Sequence, residues 1–425
     1  MRLRDLFRRR IESRAVTGAP PLNSTDYTCN LPDDVVYELF EAAALIYPPS
    51  VLVMTPTSAQ TLRGTHSLLG WVILTHICRR WRHIGLSATL APLWARIVCL
   101  SWKPNVALEL SERARGCPIT IDFSRHNGQF GRERRELSSL EDWTYRNIGR
   151  TVALISPGQA LVNKLKSQKL VLPNLREVRL SASDLPWNFA ITAQWELSGL
   201  QRAWLNMALL PSSMVATVRE LHLRIYASHT PLTELHEVLR ACVLLEHLDI
   251  SVHGGWSHKD LPDNAVEREA RKGFIIFDGL KTAEVKVSAD SILTDLWSPI
   301  RCPPTLTLQV KCATNFWSGP LPRVEGLLEA CRSQTGSTLY DGVDLHMPEG
   351  NMRRSSMRLH LSSSSSSASC ELSFLSDKTS RLQMLLALPA YISGASITQL
   401  TLGGSPTAAD LADADEAICV LGGAL

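Results

Sequence analysis

The stretch LTHICRRWRHIGL, residues 74–86, alternates apolar and basic blocks around one tryptophan, Trp81. Apolar residues recur along it at helical spacing, and Arg79, Arg80 and Arg82 lie on the opposite face, which predicts an amphipathic helix. A basic cluster of this kind is typical of a nucleic-acid contact or of a docking surface for an acidic partner. The surrounding sequence has to distinguish these two uses.

Overall charge argues against the first use. The chain has 425 residues, of which 44 are Lys or Arg and 41 are Asp or Glu, so the net charge is only +3. A non-specific nucleic-acid binder normally shows a wider basic surface, and we therefore expect no nucleic-acid partner. Hydrophobic residues make up 45% of the chain, which suits two or three globular domains.

Cysteine usage and hydropathy indicate the compartment. The ten cysteines contain no C-x-x-C pair, so neither a zinc site nor a redox pair is indicated. No apolar run is long enough to span a bilayer, and the Arg-rich start lacks the apolar core of a signal peptide. We expect a protein of the cytoplasm or nucleus, or both, with free thiols and no membrane association.

The first hundred residues predict a small helical domain. Residues 1–29 have the composition of a disordered basic tail, and LPDDVVYELF then predicts a helix that begins near Pro32 and stops at YPPS, 47–50. Residues 47–67 predict an inserted loop, because they are rich in Pro, Thr and Ser. A second long helix is expected around 69–84. The helical domain is therefore predicted to span 30–100.

From residue 170 onward the sequence repeats a different pattern, L-x-x-L-x-L. It occurs at 175–180, 200–205, 218–223, 245–250 and 397–402. The last positions of the first four copies are 25, 18 and 27 residues apart, close to the period of leucine-rich repeats. Helical segments lie between the copies, which predicts parallel strands stacked as a solenoid. The alternative is an unrelated α/β sheet, because L-x-x-L-x-L is a short pattern that occurs in many α/β proteins.

These patterns together give the expected fold class, α+β or α/β. A helical domain would be followed by a connecting helical segment at 101–169 and by a leucine-rich-repeat-like solenoid of parallel strands and helices at 170–425. Between 254 and 396 the phase of the repeat is mostly lost, although LKTAEV and PTLTLQV are candidate strands. The run Ser362 to Ser367 cannot bury an apolar face and predicts an exposed loop.

Strand alternation predicts a binding surface on the repeat domain. If the last Leu of each L-x-x-L-x-L faces the core, the residue before it faces solvent on the concave sheet of the solenoid, where such folds commonly bind partners. This rule selects a mixed polar and aromatic set as a candidate substrate face: Arg179, Trp204, His222, Asp249 and Thr401.

Catalytic and metal-binding motifs are absent from the sequence. HEVLR, 236–240, begins like the zinc-protease motif H-E-x-x-H but has Arg240 in the place of the second ligand. His247, His253 and His258 flank a HGGW turn, where solvated histidines are commoner than a metal site. We therefore expect a protein that is not an enzyme and that uses no cofactor and no metal.

Residues 31–97, taken as a set, resemble the F-box motif, especially in its fungal form. The matching elements are LP at the start of the first helix, the block around CRRWR, and the later PLW; the resemblance covers about a sixth of the chain. The matched residues are Leu31, Pro32, Val35, Leu39, Phe40, Ile77, Cys78, Arg79, Arg80, Trp81, Arg82, Ile84, Leu93, Trp94 and Ile97. The loop at 47–67 is longer than a compact F-box allows.

The resemblance implies a function. An F-box docks onto a Skp-family adaptor, which joins it to a cullin–RING ubiquitin ligase, and the domain that follows captures an unknown protein substrate. The residues implied in adaptor binding are Leu31, Pro32, Val35, Leu39, Ile77, Cys78 and Trp81. Trp81 fits two roles equally, an interface anchor or a core tryptophan. We expect a substrate receptor of an SCF-type ligase; the alternative is a protein-interaction scaffold without a ligase.

Overall fold

The structure is a computed structural model in which the chain divides into two compact units, Met1–Leu93 and Trp94–Leu425. The described residues are 31–49, 69–101, 103–124, 134–157, 159–166, 169–181, 195–254, 256, 273–312, 324–331, 340–346, 355–376 and 399–403. The predicted tail, 1–29, and most of the predicted loop, 50–67, lie outside this part of the chain.

The first unit is helical in its described part. Helix α1, Asp33–Ile46, follows Pro32 and carries Asp33 and Asp34 in its first turn, where negative charge is favoured by the helix dipole. It stops before Tyr47 and the two prolines, as the sequence predicts. A 3-10 helix, Gly70–His76, then leads to α2, Arg79–Gly85, and α3, Ala91–Ala95, lies at the boundary of the two units.

The prediction of one long second helix around residues 69–84 is wrong, because the helical backbone is interrupted at Cys78. Its backbone is extended, with φ −150° and ψ 174°, and its Sγ accepts a hydrogen bond from the Trp81 backbone N–H at 3.5 Å. Cys78 therefore occupies the N-cap of α2 and satisfies one of the amides that a helix start leaves open. Apolar spacing alone does not show such a break.

An aromatic core joins these short helices. Phe40 of α1 packs against the rings of Trp71 and Trp81, each with its centroid 6.1 Å away. All three side chains are buried. A Cβ added at Gly85 would come within 3.0 Å of the Phe40 ring, so the glycine permits the close approach of α2 to α1.

The second unit is built on one large sheet with helices between its strands. The helices are α4 Pro104–Arg113, α5 Arg134–Asn147, α6 Gln159–Lys166, α7 Leu232–Ala241, α8 Asp290–Trp297 and α9 Val324–Ala330, with 3-10 turns at Ile148–Arg150 and Ser212–Met214. The first eight strands are β1 Ile119–Asp122, β2 Thr151–Ile155, β3 Leu170–Val171, β4 Glu177–Ser181, β5 Trp195–Glu196, β6 Arg202–Asn206, β7 Glu220–Tyr226 and β8 His247–His253. The others are β9 Ile275–Ile276, β10 Thr282–Val287, β11 Ile300–Arg301, β12 Thr307–Cys312, β13 Gly342–His346, β14 Ser355–Ser362, β15 Ser369–Ser376 and β16 Gln399–Gly403.

Within the described residues the large sheet has the order β1-β2-β4-β6-β7-β8-β10-β12-β15-β14-β13-β16. Every pair from β1 to β15 is parallel, β14 is antiparallel to both of its neighbours, and β13 pairs parallel with β16. Two small parallel pairs, β3 with β5 and β9 with β11, lie apart from it. The protein therefore has a mixed α/β fold with a mostly parallel sheet.

The sheet is longer than the sequence predicts. The segment 101–169, expected to be connecting helices, supplies β1 and β2 to the same sheet. The phase of the repeat, expected to be mostly lost after 254, continues in register through β10 and β12, which arise from LKTAEV and PTLTLQV. The serine run lies at the end of β14 and in the turn to β15, where its residues are half-buried or exposed.

A buried leucine-type residue before each strand explains why the register is kept. The first position of the pattern is at most 1% exposed before five successive strands of the sheet, at Leu175, Leu200, Val218, Leu245 and Leu280, and Leu306, directly before β12, is equally buried. Along the strands, side chains alternate between a buried and a more exposed face, as pleated strands require. One apolar face of the sheet thus packs inside, and the other face is polar.

Candidate functional site

The five residues predicted to form the substrate face all lie in one row on the polar face of the sheet. Pairing register places Arg179 beside Trp204, Trp204 beside His222, and His222 beside Asp249. The same row, called the middle row below, continues to Thr401 through residues that the sequence analysis did not select: Glu284, Gln309, Glu371, His360 and Asp344.

The structure brings four of the five together and leaves the fifth apart. Arg179, Trp204, His222 and Asp249 lie on consecutive strands, whereas Thr401 lies on β16, nine strands along the sheet from β4. None of the five is buried, and the leucine-type residue after each of the first four is buried. The predicted alternation of the strands is therefore confirmed at these four positions, and a role in substrate binding stays a prediction.

Trp204 is the centre of a stack of planar groups. Its ring is nearly parallel to that of His222, with an 8° angle and 4.9 Å between centroids, and the Arg179 guanidinium carbon lies 4.2 Å from the indole centroid. Arg179 is held in turn by Glu177, whose carboxylate accepts from Nε at 2.7 Å. With neighbours on both strands beside it, the indole is held in place before any partner arrives.

His222 lies between two carboxylates. Its Nε2 lies 2.9 Å from Glu220 and its Nδ1 lies 3.3 Å from Asp249. Burial disfavours the charged ring, but the hydrogen bonds and negative charges of Asp249 and Glu220 outweigh it and raise the pKa of His222. The hydrogen bond from His222, with the nearby Lys286 ammonium, lowers the pKa of Asp249.

The middle row continues as a chain of ion pairs. Lys286 lies 3.3 Å from Asp249 and 3.1 Å from Glu284, and Lys311 lies 2.7 Å from Glu284. Further along, Arg358 pairs with Glu371 at 3.0 Å. The predicted face does not include Glu284, Lys286 and Lys311 because the spacing of the pattern becomes irregular after residue 254, although alternation in TAEVKV and TLQVKC indicates the polar face.

An open cavity lies over β4, β6, β7, β8 and β10 on this face. Its volume is about 540 Å³. Besides the stack, it is lined by Asp249 and Lys286 and by a group of donors near the carboxyl ends of the strands, Ser181, Asn206, Arg224 and Ser251. The cavity therefore combines one carboxylate with several cationic and neutral hydrogen-bond donors.

The candidate adaptor-binding residues of the first unit differ in solvent exposure. Leu39 and Ile77 are 40% and 46% exposed, and Pro32 is exposed. Leu31, Val35 and Cys78 are half-buried, the last as the helix cap already described. Sequence reasoning missed two more exposed apolar side chains at the end of α1, Leu45 and Ile46, because it placed no weight on the last turn of the helix.

Trp81 is a core residue. Its side chain is 4% exposed and packs on Phe40, so its assignment as an adaptor anchor is corrected to the other predicted role, a core tryptophan. The physical reason is that α2 is short and presents one face, which already covers the aromatic side of α1.

The basic residues beside Trp81 also act within the unit. The Arg80 guanidinium donates to the Leu31 carbonyl and to the Asp33 carboxylate, which ties α2 to the first turn of α1. Arg82 donates to the Thr75 carbonyl at 3.2 Å. Arg79 alone of the three is exposed without such a contact among the described residues.

Within the ranges that the structure describes, no cluster of three or more His, Cys, Asp or Glu side chains has a geometry that would hold a metal ion. His258, one of the three histidines that flank the HGGW turn, lies outside the described residues. In the same ranges no helix has the length and hydropathy needed to cross a membrane. Comparison of the chain with protein-family models, curated proteins and solved structures found no match.

Proposed function

We propose that this protein is the substrate-receptor subunit of an SCF-type ubiquitin ligase. The helical unit would dock a Skp-family adaptor, and the middle row of the sheet would bind a protein substrate. The chemistry of ubiquitin transfer would belong to the cullin–RING ligase joined through the adaptor. The proposal assigns no catalytic residue to this chain.

The single observation that carries the proposal is a second apolar stripe on α1. Val36 and Phe40 form the stripe that is buried, while Val35, Leu39 and Ile46, which helical spacing places on an adjacent stripe, are half-buried or exposed. A helix that is apolar beyond its buried face is a candidate for docking against another protein. The stripe lies in the segment that resembles an F-box.

The order of the sheet supports the second half of the proposal. Strands β1 to β12 of the large sheet follow one another in chain order, and each of six begins after a buried Leu or Val. A leucine-rich-repeat-like solenoid has these two properties. Its strand row would then provide a preformed surface for a substrate, with Arg179 and Trp204 as side chains of the types enriched in binding hot spots.

A scaffold without a ligase is the second candidate. The observation in its favour is that Trp81, Arg80 and Arg82, three of the residues implied by the resemblance, make their contacts inside the helical unit. Fewer of the expected side chains then remain for an adaptor. Both candidates predict a protein partner on the sheet, and they differ only at the helical unit.

Recovery of the adaptor distinguishes the two candidates. The full chain is mixed with a purified Skp-family adaptor, and complex formation is measured for the wild type, for Leu39→Arg with Ile46→Arg, and for Thr89→Arg. Thr89 is exposed in the same unit and serves as the matched control. We expect binding by the wild type and the control and loss of binding in the double variant, because two charges would be desolvated in an apolar contact.

A second double variant tests the start of α1. Leu31→Ala with Pro32→Ala should weaken the same complex, since both residues precede α1 next to the proposed docking stripe. No binding by the wild-type chain would reject the ligase proposal in favour of the scaffold. Equal binding by all variants would show that the adaptor does not dock on α1.

A further inference from the structure

A second polar row runs beside the middle row, two residues further along each strand of the parallel part. Since residues i and i+2 of a strand share a face, this outer row lies on the same surface. Its described members are Ser181, Asn206, Arg224, Ser251, Lys286, Lys311, Ser373, Arg358, His346 and Gly403. None of these ten residues is a carboxylate, whereas the middle row contains Asp249, Glu284, Glu371 and Asp344.

Three of the four Lys and Arg residues of the outer row are neutralised by their neighbours. Lys286, Lys311 and Arg358 form ion pairs with carboxylates of the middle row at 2.7–3.3 Å. Arg224 differs from them. In the part of the chain that the structure describes, its guanidinium makes one hydrogen bond, from Nε to the ring nitrogen Nε2 of His253 at 3.2 Å, and no ion pair.

The contact with His253 leaves the charge of Arg224 uncompensated. Because the His253 Nε2 accepts from an arginine, which is always protonated, the ring is neutral in this geometry. Burial and the nearby Arg224 charge also lower the pKa of His253. The closest carboxylate of the adjacent strand, Asp249, is already shared by His222 and Lys286. The two terminal nitrogens of Arg224 are thus free to donate.

The surroundings of Arg224 supply further donors. Asn206 donates one amide N–H to the Ser181 hydroxyl at 2.9 Å and has a second amide N–H to donate, while the Ser251 hydroxyl contacts His253 Nε2 at 3.2 Å and helps to hold that ring. These side chains line the cavity of about 540 Å³ together with Arg224. An extended set of donors around one unpaired guanidinium matches an anionic oxygen group, which arginine binds with two parallel hydrogen bonds.

We infer that the outer row around Arg224 binds an acidic segment of a partner protein, with the guanidinium donating to a carboxylate or a phosphate group of that segment. A protein segment is favoured because the cavity extends over five strands and is open along the sheet, as a chain in contact with several strands requires. The inference rests on the proposed function only in that the ligand is a protein, and it holds equally for a scaffold.

The test uses the full chain and three immobilised pools of synthetic peptides. The pools have equal length and equal apolar content and differ at their polar positions, which are Asp and Glu, phosphoserine, or Asn and Gln. Binding of the wild type is compared with that of Arg224→Gln, Arg224→Lys and Arg219→Gln. Arg219 immediately precedes β7 at its opposite end and pairs with Glu246, so its variant removes the same charge away from the cavity.

We expect the wild type to prefer the acidic or phosphorylated pool over the neutral pool. Arg224→Gln should weaken that binding about fivefold, the change expected when one exposed charge pair is lost. Arg224→Lys should keep most of the preference and Arg219→Gln all of it. Preference for phosphoserine alone identifies a phosphate ligand, and equal binding of the two charged pools identifies negative charge as the feature recognised.

Two outcomes would overturn the inference. One is a wild type that binds the three pools equally. The other is a preference for charged peptides that Arg224→Gln leaves unchanged while its melting temperature matches that of the wild type. Failure here is distinguishable from failure of the proposed function, because adaptor binding is measured on the helical unit and peptide binding on the sheet.

Discussion

The helical unit and the sheet each contain a tryptophan in aromatic contact, and the two are used in opposite ways. Trp81 is buried against Phe40, while Trp204 is partly exposed between Arg179 and His222. In the helical unit the aromatic groups build the core, and several aliphatic side chains remain outside. On the sheet the aliphatic groups build the core, and an aromatic ring joins the charged surface.

A different force dominates each of the two surfaces. Burial of an exposed aliphatic stripe against a partner lowers the free energy, because apolar surface is removed from water. This effect depends little on salt. A surface of arginine, lysine and carboxylate groups acts through charge, which salt screens. The two surfaces are therefore suited to partners of different chemistry.

Loss of the buried tryptophan of the helical unit should change stability the most. Trp81→Ala should lower the free energy of unfolding of the helical unit by about 3–5 kcal/mol, because it removes a buried ring and leaves a cavity. Hydrogen exchange of the α1 amides in the full chain measures this loss. Leu45→Ala, at a side chain that is 78% exposed, is the matched control and should change the free energy by about 0.5 kcal/mol or less.

Trp204→Ala should have a smaller effect. Its ring is partly exposed, so the loss is mainly the stacking with His222 and the contact with Arg179, about 1–2 kcal/mol in total. Hydrogen exchange of β6 and β7 measures it. If the substitution costs as much as Trp81→Ala, the indole belongs to the core of the sheet, and the contrast between the two tryptophans disappears.

Salt dependence sharpens the contrast between the two surfaces. Between about 0.1 and about 1 M salt the Debye length falls from about 10 to about 3 Å. Binding of acidic peptides to the sheet should weaken about fivefold or more over this range, whereas adaptor binding through the α1 stripe should change by less than about twofold. Equal salt dependence of the two complexes would contradict the assignment of forces.

The smallest effect concerns His222 and pH. Since its folded-state pKa is raised above the ordinary value of 6.5, its stabilising charge is fully present below that value and is lost as pH rises through the raised one. The melting temperature of the wild type should therefore exceed that of His222→Asn by more at pH near 6 than at pH near 9. If this difference in melting temperature grew as pH rises, the charged form of His222 would not be the stabilising one, and the prediction would be contradicted.

Sequence analysis succeeded where the structural period was unambiguous. In a strand the period of two leaves one choice of face, and the buried last residue of the pattern, such as Leu205 or Ile250, placed Trp204 and Asp249 on the other face. In a helix a broad apolar arc contains two adjacent stripes, and spacing does not state which is buried. For that reason spacing alone does not separate Leu39 of α1, which is exposed, from its neighbour Phe40, which is buried.

Other features depended on groups that are distant in sequence. The contact of Arg80 with Leu31 and Asp33 arises from packing of α2 on α1, which no local pattern encodes. The same holds for β1, which is recognised only because it pairs with β2. The ion pairs of Lys286 and Lys311 followed from alternation that was present in the sequence, but the irregular length of the intervening segments obscured it.

The order of strands at the far end of the sheet has a consequence for synthesis on the ribosome. From β1 to β12 each new strand can join the strand made before it, so the sheet can grow as the chain emerges. The next place is taken by β15, and β13 and β14 attach outside it although they are made earlier. Roughly sixty residues must therefore be added before growth resumes, which takes about 3–12 s at typical rates of translation. During that interval β12 is an open edge, the kind of strand to which aggregation and chaperone binding are directed.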